Sequence, residues 1–252
     1  MTPDLPRLAA VAAGMLVATL LPAGAAQCER VDHDGQGYVL CPVEAAQEPA
    51  LRLFQDGADG APLRTFANVR RTLAADETLS FAMNAGMFHA DYRPVGLLVV
   101  DGVELSPIVT GASRDNFGML PNGVFCTGGA QPFQVIESRA FAEARPDCRL
   151  ASQSGPMLVI HGDLHPRFLV DSDSRYIRNG VGVAPDGQTA WFAISNRPVT
   201  FHEFGRFFRD GLGVRDALYF DGSISRLYAP SVRRADFGRS MGPIIGLVEQ
   251  DG

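Results

Sequence analysis

Thr189-Ala190-Trp191-Phe192-Ala193-Ile194-Ser195, the segment Val199 to Leu212, and Asp216-Ala217-Leu218-Tyr219-Phe220-Asp221-Gly222-Ser223-Ile224-Ser225 together decide the fold. The first run is an apolar strand. The segment from Val199 has helical spacing, with Phe201, Phe204, Phe207, Phe208 and Leu212 on one face and Gly211 and Gly213 closing it. Asp216 to Phe220 is the next strand. Strand, helix, strand reads as a crossover between parallel strands. It places Asn196 and Asp221 at carboxyl ends of neighbouring parallel strands, where open sheets bind ligands.

Working outward, three hairpins precede this unit. Gly96 to Ile108 turns at Asp101-Gly102, Met157 to Leu169 turns near His161-Gly162-Asp163, and Val181 to Ile194 turns at Pro185-Asp186-Gly187. An earlier hairpin spans Cys28 to Cys41 around Asp34-Gly35-Gln36-Gly37. Leu51 to Phe54 is a strand, Phe66 to Asp76 has helical spacing, and Leu79 to Met83 is a buried strand stopping at Asn84-Ala85-Gly86. A short helix is expected near Ser138 to Ala144. The expected class is mixed, between α+β and α/β: one domain around a large mixed β-sheet, with hairpins and the C-terminal crossover.

At 252 residues and 46% hydrophobic, the chain can bury one substantial core. The net charge of −6 forms no block, which argues against a nucleic-acid surface. All 22 basic residues are arginine. Codon bias accounts for such a pattern, yet it still removes Schiff-base chemistry and a phosphate-loop lysine. Arginine is then the strong cation left for a phosphate or carboxylate.

Residues 1–26 read as an export signal: Leu8 to Leu21 is apolar, Pro22 follows, and Ala23-Gly24-Ala25 has the form of a cleavage site. A retained anchor is the alternative, since Leu8 to Ala26 is nearly long enough to span. The expected product, residues 27–252, is periplasmic or secreted with no stable membrane insertion. Four cysteines in an exported chain favour two disulfides, Cys28 with Cys41 and Cys126 with Cys148. A zinc site is the rival, but no C-x-x-C spacing exists.

Candidate site residues cluster at strand ends. Asp221 could serve as general base, nucleophile or hydroxyl acceptor, and Gly222 and Ser223 could offer backbone N–H groups to an anion. Asp-Gly is equally an ordinary turn. Gln153-Ser154-Gly155-Pro156 fails as a hydrolase elbow, because a strand rather than a helix follows, so it reads as a binding turn or a plain turn. Asn84 with Gly86 suggests a left-handed backbone position and an amide free for a ligand, or else an Asx turn. Arg178 opens a strand. Thr200 and Glu203 fit a capping box, which leaves Glu203 as cap or as second carboxylate. His161-x-Asp163-x-His165 is broken by its turn, so no metal is expected there.

Asn84-Ala85-Gly86-Met87-Phe88, Gln153-Ser154-Gly155-Pro156, Arg178-Asn179-Gly180-Val181-Gly182 and Ala217 to Ser225, in this order, resemble the phosphodiester glycosidase family. That family includes the enzyme that uncovers mannose 6-phosphate by removing N-acetylglucosamine from a phosphodiester. The resemblance runs from about Phe81 to Val248, and Thr200 to Phe204 looks like a bacterial branch. It implies a hydrolase with no cofactor and no metal, acting on a carbohydrate or sugar-phosphate substrate of the cell envelope or extracellular space. Arg178 would hold the phosphate, Asp221 would activate water or contact the sugar, and Glu203 would be the second carboxylate. Asn84 and Ser154 would orient hydroxyls, with Gly86, Gly155, Asn196, Gly222, Ser223 and Ser225 around the substrate. Two positions depart from the family: Ser223 replaces a glycine, and Asn196 stands where Asp is common. Those departures point to the rival reading, a secreted glycan-binding protein without catalysis.

Overall fold

The computed structural model describes residues 27–221 and 223–250; the expected signal segment and Gly222 lie outside them. Three β-sheets make up the domain, and every strand pairing among the described residues is antiparallel. The first sheet has seven strands in the order Glu29–His33, Gln36–Glu44, Thr189–Ser195, Asn179–Val183, Asp216–Tyr219, Met157–Ile160 and Asp163–Leu164. The second orders Arg234–Ala235, Leu227–Ala229, Glu77–Asn84, Ile244–Gln250 and Leu51–Phe54. The third orders Val103–Ser106, Leu98–Val100, Leu150–Ser154, Gly123–Thr127 and Phe133–Glu137.

The inner faces of the three sheets share one core. Phe192 of the first sheet meets Phe81 of the second at 5.4 Å and Phe125 of the third at 5.5 Å between ring centroids. Val181, Leu218, Met83, Ile245 and Leu150 complete that core. Each outer face is covered by one helix. Phe204, Phe207 and Phe208 lie over Leu158, Ala217 and Tyr219 of the first sheet. Phe66 and Val69 of helix Phe66–Thr72 cover Leu79, Ala82 and Ile244 of the second. Phe141 of helix Ser138–Ala144 covers Val124 and Ala151 of the third. Burial on both faces makes strands such as Asp216–Tyr219 read as continuous apolar runs.

The mixed helix-and-sheet class holds in one domain, and the hairpins form at the expected turns. The crossover differs in one respect. Thr189–Ser195 and Asp216–Tyr219 do run in the same direction, but Asn179–Val183 lies between them and is antiparallel to both. Arg178 therefore sits between the ends occupied by Asn196 and Asp221. The connecting segment starts as an α-helix, Phe201–Arg206, and widens into a π-helical turn at Phe207–Gly211. At Gly182 a Cβ would come within 2.6 Å of Phe208, so the helix seats against a strand with no side chain there. Both expected disulfides form, Cys28–Cys41 and Cys126–Cys148. No helix among the described residues is long and apolar enough to cross a membrane.

Candidate active site

The family-like segments meet where the three sheets join. Asn84 closes strand Glu77–Asn84, and its Nδ2 donates to Asn179 Oδ1 at 3.1 Å. Asn179 Nδ2 donates back to the Asn84 carbonyl at 2.8 Å, and the Arg226 N–H donates to Asn84 Oδ1 at 2.9 Å. Ser154, at the end of Leu150–Ser154, donates its hydroxyl to the Phe220 carbonyl at 2.6 Å. Ser152 donates to the Ala85 carbonyl at 2.6 Å. The Phe220 N–H donates to the Asn179 carbonyl. Six buried residues, Asn84, Ala85, Ser152, Ser154, Asn179 and Phe220, with the Arg226 N–H at their edge, thus tie the three sheets together beside Asp221.

This corrects two expectations. Asn84 is not left-handed; it is the last extended residue of a strand paired with Ile244, and its amide is engaged inside the protein. Ser154 likewise faces the interior. Both are polar because a junction of sheet ends leaves backbone groups that need partners. Gly86 and Gly155 serve close approach: a Cβ at Gly155 would stand 2.5 Å from that of Asn122, and one at Gly86 would stand 3.0 Å from Ser152 Oγ.

Arg178 is 1% exposed, on the helix-covered face. Its Nε donates to the Val199 carbonyl at 2.9 Å and its Nη2 to the Ser174 carbonyl at 3.1 Å. The guanidinium lies 3.6 Å from the Phe201 ring centroid, with Tyr176 and Tyr219 further out. Its Nη1 and the Tyr219 hydroxyl both lack a hydrogen bond of proper geometry, although the hydroxyl lies within the field of the cation. Burial lowers the Arg178 pKa, against the opposing pull of Tyr219, Tyr176 and Glu203. Burial raises the Tyr219 pKa, Arg178 pulls it down and Asp221 pushes it up. Arg178 and Asp221 therefore share Tyr219 as a neighbour.

Glu203 is the N3 member of the helix capping box, with Thr200 as N-cap. Its Oε2 accepts from the Thr200 N–H, and both its oxygens accept from Arg175, at 2.8 and 2.9 Å. Burial pushes its pKa up, but the Thr200 N–H and Arg175 outweigh that and hold it below the usual glutamate value. Asn196 accepts from Arg234 at 3.1 Å, and its side chain abuts Gly37. His161 is exposed at its turn, whereas His165 is buried and stacked on Phe168 at 4.9 Å. Among the described residues no cluster of three or more His, Cys, Asp or Glu is arranged to hold a metal.

Asp221 opens onto a cleft of about 260 Å³ lined by Met87, Phe88, Asp115, Asn116, Ser223 and Ile224 among others. Asp221 Oδ1 accepts from the Ser223 and Ile224 N–H groups at 2.7 and 3.2 Å, which fixes the plane of the carboxylate. Ser225 buries its hydroxyl oxygen without a hydrogen-bond partner. Asp115 is a second carboxylate in this cleft, unforeseen from sequence because it sits in a Gly- and Asn-rich loop whose Ser113-x-Asp115 pattern reads as a turn. The Ser113 hydroxyl at 2.6 Å, helped by the Gly118 N–H, holds Asp115 below the usual carboxylate range. A larger groove of about 510 Å³ crosses the third sheet beside helix Ser138–Ala144, but it contains none of the family-like residues.

Comparison with known proteins agrees with this arrangement. A family model described as Phosphodiester glycosidase matches residues 77–247. The uncharacterized protein YigE of Escherichia coli (strain K12) is 30% identical over 193 residues, covering 77% of this chain and 73% of that protein. The catalytic domain of zebrafish N-acetylglucosamine-1-phosphodiester alpha-N-acetylglucosaminidase, auto-inhibited by its pro-peptide, superposes with a TM-score of 0.61. That superposition covers 87% of this chain and 81% of the zebrafish chain at 12% identity, so it speaks to the fold.

Proposed function

The chain belongs to the phosphodiester glycosidase family, and from that we propose that the Asp221 cleft hydrolyses a glycosyl-1-phosphodiester in a cell-envelope or extracellular glycan. The observation that carries this reading is the placement of Asp221. It is a carboxylate clamped by two backbone N–H groups, lining a cleft of mixed polar and apolar walls, at a three-sheet junction. In the proposed step a water oxygen bonds to the anomeric carbon and gives a proton to Asp221. The bond from that carbon to the phosphate oxygen breaks, and its electron pair leaves on the phosphate. The products are a free sugar and a phosphate monoester.

A phosphate monoester is a far better leaving group than an alcohol, so the reaction does not need the protonated carboxyl that ordinary glycosidases use. Asp115 suits this chemistry, since its hydrogen bonds keep it ionised. An ionised carboxylate there would stabilise positive charge on the sugar ring as the bond breaks. Glu203, consumed by its cap and by Arg175, is left out of the mechanism. Two disulfides suit an oxidising compartment, which together with residues 1–26 supports export to the periplasm or beyond.

The test is turnover of N-acetylglucosamine α-1-(methyl phosphate) by the purified protein and its Asp221→Asn variant. The expected result is a loss of about hundredfold or more in kcat with an unchanged thermal midpoint. Turnover by Asp221→Asn within threefold of wild type would refute the assignment. Saturable binding by the wild type with no product would support the non-catalytic glycan-binding reading instead.

A further inference from the structure

We infer that Phe88, braced by Tyr92, is the platform on which the sugar ring of the substrate stacks in the Asp221 cleft. The inference rests on the hydrolase reading for its substrate but on separate residues for its support. Asp115 and Asp221 both line this cleft, and none of the described residues lining it is a cation. Two carboxylates repel a phosphate, so the part of a glycosyl phosphodiester that fits inside is an uncharged sugar, with the phosphate directed outward. At about 260 Å³ the cleft is smaller than a typical drug-sized site, which suits a single sugar ring.

A pyranose ring carries a flat face of C–H groups, and the surface that matches it is the face of an aromatic ring. Two phenylalanines line the cleft. Phe117 is only 3% exposed, whereas Phe88 is half-buried and keeps ring surface open to the cleft. Among the described residues, neither Phe88 nor its neighbour Tyr92 packs into any of the four apolar clusters, so the pair does not serve as core filling.

The Phe88 ring is held from several sides. It stacks on Tyr92 with centroids 5.7 Å apart and planes 15° apart. Tyr92 takes up this position at φ +69°, a left-handed conformation that a bulky side chain rarely adopts. The Tyr92 N–H donates to the His89 carbonyl at 2.8 Å, and the buried Gln55 amide donates to the Tyr92 carbonyl at 2.9 Å. The Arg64 guanidinium lies 4.4 Å from the Tyr92 ring centroid. Phe88 bridges Pro94, and the Val95 N–H donates to the Met87 carbonyl at 3.0 Å, which closes residues 87–95 into a fixed loop. On another side Phe88 meets bare backbone: a Cβ at Gly242 would stand 2.5 Å from Phe88 Cβ and 2.6 Å from its Cγ. Backbone strain persists where the surroundings over-determine it, and here it orients one ring of the cleft. A fixed platform beside Asp221 would present the anomeric carbon to the water that the carboxylate activates.

The test is calorimetric titration of the full chain with N-acetylglucosamine, joined to saturation-transfer NMR on the same sugar. Phe88→Leu keeps an apolar side chain but removes the flat face. It is expected to weaken binding about threefold to tenfold and to abolish transfer from aromatic protons to the sugar C–H groups, with the thermal midpoint little changed. Tyr92→Phe keeps the stack and is expected to bind as wild type does. Tyr92→Gly relieves the backbone but removes the brace, and is expected to weaken binding about threefold. The control is Phe237→Leu, at a ring that is 93% exposed and outside the cleft lining, with binding unchanged. Binding by Phe88→Leu within about twofold of wild type would overturn the inference, as would no saturable binding by the wild type. Either result leaves the hydrolase reading to its own test. Conversely, sugar binding that depends on Phe88 in a protein without turnover would uphold the platform and sink the hydrolase reading.

Discussion

Replacing Asn84 by alanine separates a clasp from a ligand contact. The substitution removes two side-chain hydrogen bonds, one to Asn179 Oδ1 and one from the Arg226 N–H. The bond from Asn179 Nδ2 to the Asn84 carbonyl survives, because it is to backbone. An orphaned buried polar group costs about 1–3 kcal/mol. Asn179 is fully buried and takes the upper part of that range; the half-buried Arg226 N–H can recruit water and takes the lower. The sum is about 3–4 kcal/mol, which for a domain of this size lowers the thermal midpoint by about 6–16 °C. Urea unfolding followed by circular dichroism, with the disulfides kept oxidised, measures it directly. A loss below about 0.5 kcal/mol, which is the scale of an ordinary surface substitution, together with a large fall in kcat, would refute the reasoning. Asn84 would then be a ligand contact after all.

Three further outcomes are expected. Glu203→Gln keeps turnover within about twofold, since the residue serves the helix and not the cleft, and costs about 1 kcal/mol as a weakened cap. Because the folded pKa of Glu203 lies below its unfolded value, its contribution is present above about pH 4.5. It is lost as pH falls through the folded value, so the variant has a flatter acid limb in a stability–pH profile. Burial lowers the pKa of His165, so the wild type loses stability as pH falls below about 6.5 towards the folded value. His165→Asn is expected to remove that slope in thermal unfolding measured between pH 7 and 5. Replacing Cys126 and Cys148 by serine opens a loop with a sequence separation of 22, at a cost of about 3 kcal/mol read by denaturant titration.

Local signals were legible in the chain, and long-range ones were not. Helix Ser138–Ala144, strand Thr189–Ser195, the Thr200–Glu203 capping box and both disulfides follow from short-range pattern, turn chemistry and cysteine spacing. Strand direction did not follow. An apolar run such as Ala217 to Phe220 reports burial on both faces, and an antiparallel sheet covered by a helix outside and two sheets inside buries its faces as fully as a parallel one. The polar strand ends were visible as places that matter, but not in kind. Asn84 finds its partner 95 positions away and Ser154 finds its partner 66 away, so nothing local distinguishes a clasp from a ligand contact. Arg178 drew notice because lysine is absent, and only the fold shows that its Nε and Nη2 bind carbonyls and that its guanidinium lies on the Phe201 ring. Asp115 was hidden for the opposite reason, since its loop looks like ordinary surface and only the fold carries it to the cleft.

The bond that breaks is the central question, and hydrolysis in ¹⁸O-enriched water tests it most directly. With N-acetylglucosamine α-1-(methyl phosphate) as substrate, attack at the anomeric carbon leaves the released methyl phosphate at natural mass, read by mass spectrometry before the sugar hydroxyl exchanges. That is the predicted result. Methyl phosphate carrying one ¹⁸O would mean attack at phosphorus, and the assignment of Asp221 to glycosidic cleavage would be contradicted.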